Sequence, residues 1–277
     1  VTAAVDEVVT DSASKEMPDF SKLQEMNIQT DAVFANQSDT DRTDIRNDGG
    51  FTALMITTST RGVGINRNIA LEHASGEILL IADDDMRYID GYENAVIEAF
   101  RQLPQADALI FNIDTVGNSM GRRMNGDIRR LHFFNAFNYG AARIAVRRER
   151  LTAAPIWFSL DFGGGAKYSA GEDSLFIRDM LRCGMKIFTF PKTIATVDQS
   201  DSSWFKGYNE KYFYDKGAFF CAMSRRLAQP LCLQDLLRHR NMYASSGFGI
   251  KGIYSHMRNG IKGYRSGMSY SDFTAGR

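Results

Sequence analysis

GVGINRNIALEHASGEILLIADDDMRY, residues 62–88, is the stretch that decides the fold. Gly62 and Gly64 open a helix expected from about Asn66 to Ala74, with Ile65, Ile69 and Ala70 apolar and Gly76 just past its end. An apolar run, Ile78-Leu79-Leu80-Ile81-Ala82, then meets three aspartates, Asp83-Asp84-Asp85. A short run bounded by glycine and by charge reads as a buried strand. In an open α/β sheet, ligands gather at the carboxyl edge of the strands. Three carboxylates there repel one another unless a cation sits among them. Hard oxygen ligands of this kind suit Mg²⁺ or Mn²⁺, which in turn hold phosphates. An acidic turn capping the next helix is the plainer alternative.

Outward from this stretch, elements alternate in the βαβα manner of a mostly parallel sheet flanked by helices. Strands are expected at Val1–Val5, Ala32–Ala35, Phe51–Thr57, Ala108–Ile113 and Ala141–Val146, and helices near Asp19–Met26 and Gly91–Leu103. Asn36 to Asp41 reads as a polar loop, and residues 114–130 as another. Gly163-Gly164-Gly165 suggests a mobile loop, or a tight chain crossing. Ser174–Cys183 carries the spacing of an amphipathic helix, with Glu172-Asp173 just ahead of it. Two strands, Ile187–Phe190 and Thr193–Val197, are expected on either side of Pro191. The domain division expected is 1–200 for the α/β domain and 201–277 for a helical, basic extension packed on it.

The chain has 277 residues and equal numbers of Lys+Arg and Asp+Glu, 33 each, so overall charge does not point to nucleic acid. Residues 1–50 hold 11 acids against 4 bases, whereas residues 225–277 hold 9 Lys/Arg against Asp235 and Asp272. A basic tail of this kind suits an anionic membrane face or a phosphate-bearing substrate, and a solvated surface equally. Aromatics interleave with the bases there (Tyr243, Phe248, Tyr254, Tyr264 and Tyr270), a pattern compatible with a membrane interface. Cys183, Cys221 and Cys232 are widely spaced and lack a C-x-x-C pattern, which fits a reducing cytosol. No stretch approaches the roughly 18 apolar residues of a membrane span, and no signal peptide is evident. The four histidines show no paired spacing.

Residues 62–88 resemble the core signature of family 2 glycosyltransferases of the GT-A fold. That signature has a glycine loop and an Arg-Asn pair opening a helix, then Gly-Glu leading into a strand that ends in D-x-D. AGEDSLFIRDMLRCGMKIFTFPK, residues 170–192, is similar to the family's second segment of acid pair, helix, glycine, strand and proline. The resemblance covers roughly residues 1–200. It implies a metal-dependent hexosyltransferase moving a sugar from a UDP-sugar to a glycan or lipid-linked saccharide hydroxyl, with inversion at the anomeric carbon. By the same resemblance Asp85 binds Mn²⁺ or Mg²⁺, and Asp83 contacts the ribose or the metal through water. Asp84 is the variable middle residue on the donor side. Asp173 is the expected base, with Glu172 as its understudy, although acids in a first helical turn are also favoured by the helix dipole.

Asn36 and Gln37 stand where the family often carries base-binding acids, and an amide can serve a uracil edge. Arg67 is expected to meet diphosphate charge at a helix N-terminus, and Asn68 to be structural. Asp198 stands where many relatives have a metal-side histidine, and Trp204 is an expected sugar-stacking residue of the acceptor side. Such an enzyme is expected in the cytoplasm, with peripheral contact to the inner membrane face through its basic C-terminus. A catalytically silent nucleotide-sugar or glycan-binding module, or a nucleotidyltransferase, are the alternatives. The latter usually needs a glycine/basic loop right after the first strand, which Val1–Lys15 does not show.

Overall fold

A computed structural model describes residues 5–10, 20–48, 50–116, 124–137, 139–198 and 207–276. The described strands form one nine-stranded sheet in the order β3-β4-β2-β1-β5-β8-β7-β9-β6. They are β1 (Val5–Thr10), β2 (Asp31–Gln37), β3 (Arg42–Asp48), β4 (Phe51–Thr58), β5 (Ile78–Asp83), β6 (Met86–Tyr88), β7 (Ala108–Val116), β8 (Ile144–Arg147) and β9 (Ile187–Asp198). The run β4-β2-β1-β5 is parallel, as the alternation predicts. β8 joins it antiparallel to β7, β7 runs parallel to β9, and β3 and β6 pair antiparallel at the two edges.

Helices α1 (Ser21–Glu25), α2 (Val63–His73), α3 (Tyr92–Gln102), α4 (Arg148–Ala153) and α5 (Glu172–Arg182) connect the strands. Each face of the sheet is sealed by its own apolar cluster. One centres on Leu80, Phe100, Phe111 and Ile194, the other on Leu79, Ile81, Phe176 and Met180. Successive strand residues point to opposite faces, so the unbroken run 78–82 feeds both clusters. A third cluster belongs to the C-terminal layer of α6 (Glu210–Met223), α7 (Ala228–Arg238), α8 (Arg240–Tyr243), α9 (Ile250–Arg265) and α10 (Tyr270–Ala275). Its main contact is unusually close. A Cβ on Gly217 would fall 1.9 Å from the Met257 carbonyl oxygen, and one on Gly260 would fall 1.8 Å from that of Tyr214. Only glycine lets α6 and α9 approach so nearly.

Several expectations shift. The strand expected at Val1–Val5 lies, but for Val5, outside the described residues; the described first strand runs Val5–Thr10, and its register aligns Val5 with Ile78 and Asp6 with Asp31. Arg42–Asp48 forms an edge strand that polarity concealed, since neighbours cover only one of its sides. The two strands expected around Pro191 are one strand, β9. Its pairing with β7 slips between Ile110 and Ile113, and that irregularity accommodates a residue with no N–H to donate. Gly163 and Gly165 have φ of +110° and +77° and form a hydrogen-bonded crossing, with Gly163 N–H donating to Tyr168 O at 2.9 Å.

Candidate active site

Arg67 stands at the centre of the carboxyl edge. Gly62, at φ +123°, turns the chain into α2, and Gly64 lets the helix start against the segment before residue 160. A Cβ on Gly64 would fall 2.3 Å from the Ser159 carbonyl oxygen. Asn66 donates to Ala35 O at 3.0 Å, fixing α2 to β2. Asn68 donates to Phe158 O at 2.9 Å while its Oδ1 accepts from Phe158 N–H at 2.8 Å, so it is structural as expected. The Phe158 ring then stacks on Phe176 of α5, 4.0 Å between centroids, and lies 5.1 Å from the Arg67 guanidinium carbon.

That guanidinium, 4% exposed, joins the two acidic motifs. Its Nη2 donates to Asp83 Oδ1 at 2.7 Å and its Nη1 to Asp173 Oδ1 at 2.6 Å, while Glu172 Oε1 lies 3.5 Å away. Burial opposes the Arg67 charge, but Asp173, Asp83 and Glu172 outweigh it and push its pKa up. The planar fork suits this bridging, since it presents several donors in fixed directions. Arg67 was expected to meet diphosphate charge, with a surface arginine paired to a neighbouring acid as the plainer alternative. In the structure it holds carboxylates, because the strand end and the α5 N-terminus converge on it from two sides.

Glu172 and Asp173 differ in surroundings although adjacent. Glu172 is nearly enclosed, its Oε2 accepts from Gly171 N–H at 3.0 Å, and it abuts Gly163, where a Cβ would fall 2.9 Å from its carboxyl carbon. Burial first, and Asp173 second, push its pKa up to about 7, with Arg67 opposing. Asp173 is more open, and its Oδ2 faces Gly140, where a Cβ would lie 3.6 Å away. An acid raised from 4.5 to about 7 binds a proton in the folded state that the unfolded chain has released. The stability so gained is full below about pH 4.5 and is lost as pH rises through 7. Glu172→Gln is therefore expected to flatten the fall of the melting temperature between pH 5 and 8, and parallel curves for the two proteins would contradict the assignment.

The remaining aspartates form the open side. The Asp83 side chain is 42% exposed, Asp84 is half-buried and Asp85 is exposed. Among the described residues no group of three potential metal ligands gathers. The donor set nonetheless suits a hard cation. Mg²⁺ and Mn²⁺ take one or two carboxylates and complete their shell with water and phosphate oxygens, so a protein cage is not required. Asp198 ends β9, but its side chain lies outside the described residues, as does all of Trp204. Asn36 is 1% exposed and donates to Thr57 Oγ1 at 3.4 Å, while its buried Oδ1 has no partner. Gln37 is also buried, and its amide nitrogen donates to Gly62 O at 3.0 Å, so that group serves the glycine loop. Sequence reasoning missed Phe158, whose stacking role carries no local pattern.

Residues 33–154 match the model of glycosyl transferase family 2, a range that contains Asn36, Arg67 and Asp83–Asp85 and ends before Glu172. The chain is similar in structure to S. aureus TarS 1-349 in complex with UDP-GlcNAc, with TM-score 0.59 and 15% identity over 96% of this chain and 93% of that one. The same TarS segment in complex with UDP gives TM-score 0.58 and 16% identity, with the same coverage. None of the curated proteins compared by sequence matches it. The strand that ends in Asp83 falls inside the matched range, so residues 33–154 are similar to glycosyl transferase family 2, and the described chain shares the GT-A layout of the TarS structures.

Proposed function

We propose that the chain moves a sugar from a UDP-sugar to a hydroxyl of a glycan or lipid-linked saccharide, with inversion at the anomeric carbon. Glycosyl transfer is the reaction named by the family whose model residues 33–154 match. One observation carries the finer reading: a single buried guanidinium brings Asp83 and Asp173 together. The donor's diphosphate belongs beside the aspartates, and the acceptor hydroxyl beside Asp173. Asp173 takes the hydroxyl proton as the oxygen bonds to the anomeric carbon, and the carbon–oxygen bond to the diphosphate breaks on the opposite face, releasing UDP. One displacement inverts the centre. Asp85, with Asp83, would hold Mn²⁺ or Mg²⁺, which when bound offsets the charge of the departing diphosphate as a Lewis acid. The unpartnered Asn36 Oδ1 is an acceptor suited to a uracil N3–H. UDP as the nucleotide is supported by the TarS complexes with UDP and UDP-GlcNAc.

UDP is expected to raise the melting temperature, and Mn²⁺ to raise it further. A ligand bound only by the folded form at about 100 times its Kd adds roughly 2.7 kcal/mol. Asp85→Asn should remove the Mn²⁺ increment. No shift with any nucleotide, with or without metal, would sink the reading.

Contact with an anionic membrane face is part of the proposal, through a surface other than the one the aromatics suggested. Tyr243 is buried, and Phe248, Tyr254, Tyr264 and Tyr270 pack against the helical core. Exposed apolar side chains of this layer include Leu233, Leu237, Met242 and Ile250. Among them and along α9 run Arg238, Arg240, Lys251, Arg258 and Lys262, exposed and with no ion pair among the described residues. Aliphatic tips flanked by cations suit an interface with anionic lipid. No described helix is long and apolar enough to cross a membrane. Flotation with phosphatidylglycerol vesicles is expected at low salt and not with phosphatidylcholine, and the absence of any shift refutes this contact.

A further inference from the structure

The segment from Asp161 to Gly171 touches three parts of the molecule. Its glycines lie on the loop that opens α2: Val63 N–H donates to Gly164 O at 3.0 Å, and a Cβ on Gly165 would fall 3.3 Å from the Gly62 Cα. Its end runs directly into Glu172-Asp173. Its third side rests on the C-terminal layer. There Asp215 of α6 accepts, through one oxygen, from Ser169 N–H at 3.1 Å and from the Ser169 hydroxyl at 2.5 Å. Lys211 pairs with the same oxygen and reaches the Ser169 hydroxyl at 3.4 Å. One turn along α6, the Phe219 ring fills the space beside Gly171, where a Cβ would fall 2.5 Å from a ring carbon. Tyr168 OH donates to Met268 O at 2.9 Å, and Lys167 donates to Gly267 O.

Asp215 is 5% exposed, and its second oxygen is buried without a partner. A carboxylate in that state is costly, and packing α6 against the sheet layer does not need one. What the charge does is hold a backbone N–H two residues before Gly171, which a neutral apolar side chain could not. Gly171 has φ +125° and donates to Glu172, so the acid pair inherits its orientation from this turn. We propose that Asp215 is a positioning residue, which through Ser169 fixes the segment that aims Asp173 at the reaction centre. The kinetic consequence rests on the transfer reaction proposed above; the clamp itself does not.

Hydrogen exchange and steady-state kinetics on Asp215→Asn and Ser169→Ala test the idea. Asp215→Asn should speed exchange in peptides covering residues 161–173 while leaving residues 78–83 unchanged. It should lower kcat roughly 10- to 100-fold, as slight misplacement of a reacting group does, with the donor KM and UDP affinity unchanged. Ser169→Ala should reproduce part of both effects, and the double variant should be no worse than Asp215→Asn alone. Asp215→Glu should recover part of the turnover. Unchanged exchange at 161–173, strictly additive losses, or lower UDP affinity with kcat intact would each overturn the proposal. A wild-type chain that turns over no UDP-sugar would refute the transfer reaction, and exchange alone would then decide the clamp.

Discussion

Asp173→Asn is expected to cut turnover of the UDP-sugar by about 10²- to 10⁴-fold, the usual contribution of a positioned base. That loss corresponds to roughly 3–5 kcal/mol of barrier. Asparagine keeps the shape, and its oxygen can still accept from Arg67 Nη1, which now sits 2.6 Å from Asp173. Arg67 also retains Asp83 and Glu172 as partners. UDP affinity should therefore survive, and a silent binding module would show no turnover in either protein. Turnover within a few-fold of wild type would move the base elsewhere, with Glu172 the first alternative. Its pKa of about 7 suits the task, but it is enclosed by Gly163 and Gly171 and accepts from the backbone.

Arg67→Met should cause the largest loss of stability, about 3 kcal/mol. Breaking a buried ion pair from one side commonly costs roughly 3–5 kcal/mol, because the remaining charge is left uncompensated. The lower end applies here, since Asp83 and Asp173 are partly exposed and water screens them. Methionine preserves most of the contact with Phe158, so the loss isolates the guanidinium rather than a cavity. Arg67→Lys should fall between the two, since an ammonium keeps the charge but cannot fork. The readout is the urea unfolding midpoint at neutral pH, and the difference should shrink as the carboxylates are protonated in acid. A midpoint unmoved by Arg67→Met would mean that the three acids are not coupled through it.

Which parts of the architecture were legible follows from how locally each is encoded. The α2–β5 unit and the α5 helix announce themselves because glycine caps, helical spacing and an apolar run lie within about 27 residues of one another. β3 is hidden, since an edge strand of Arg42-Thr43-Asp44-Ile45-Arg46-Asn47-Asp48 has little to bury. The C-terminal tyrosines misled for a related reason. Interleaving with bases describes both a membrane face and a packed helix whose lysines face water, and here the rings turn inward.

From its residues alone this chain declares a carboxylate-edged α/β sheet and a second acid pair at a helix start, each dictated by short-range pattern. Tertiary structure decides that Arg67, 106 residues before Asp173, holds the two together, and that α6 reaches back to Ser169. No local pattern encodes either contact. Both depend on the depth to which a charge is buried and on the direction in which a side chain leaves its backbone, and these are settled only when distant elements pack and exclude water.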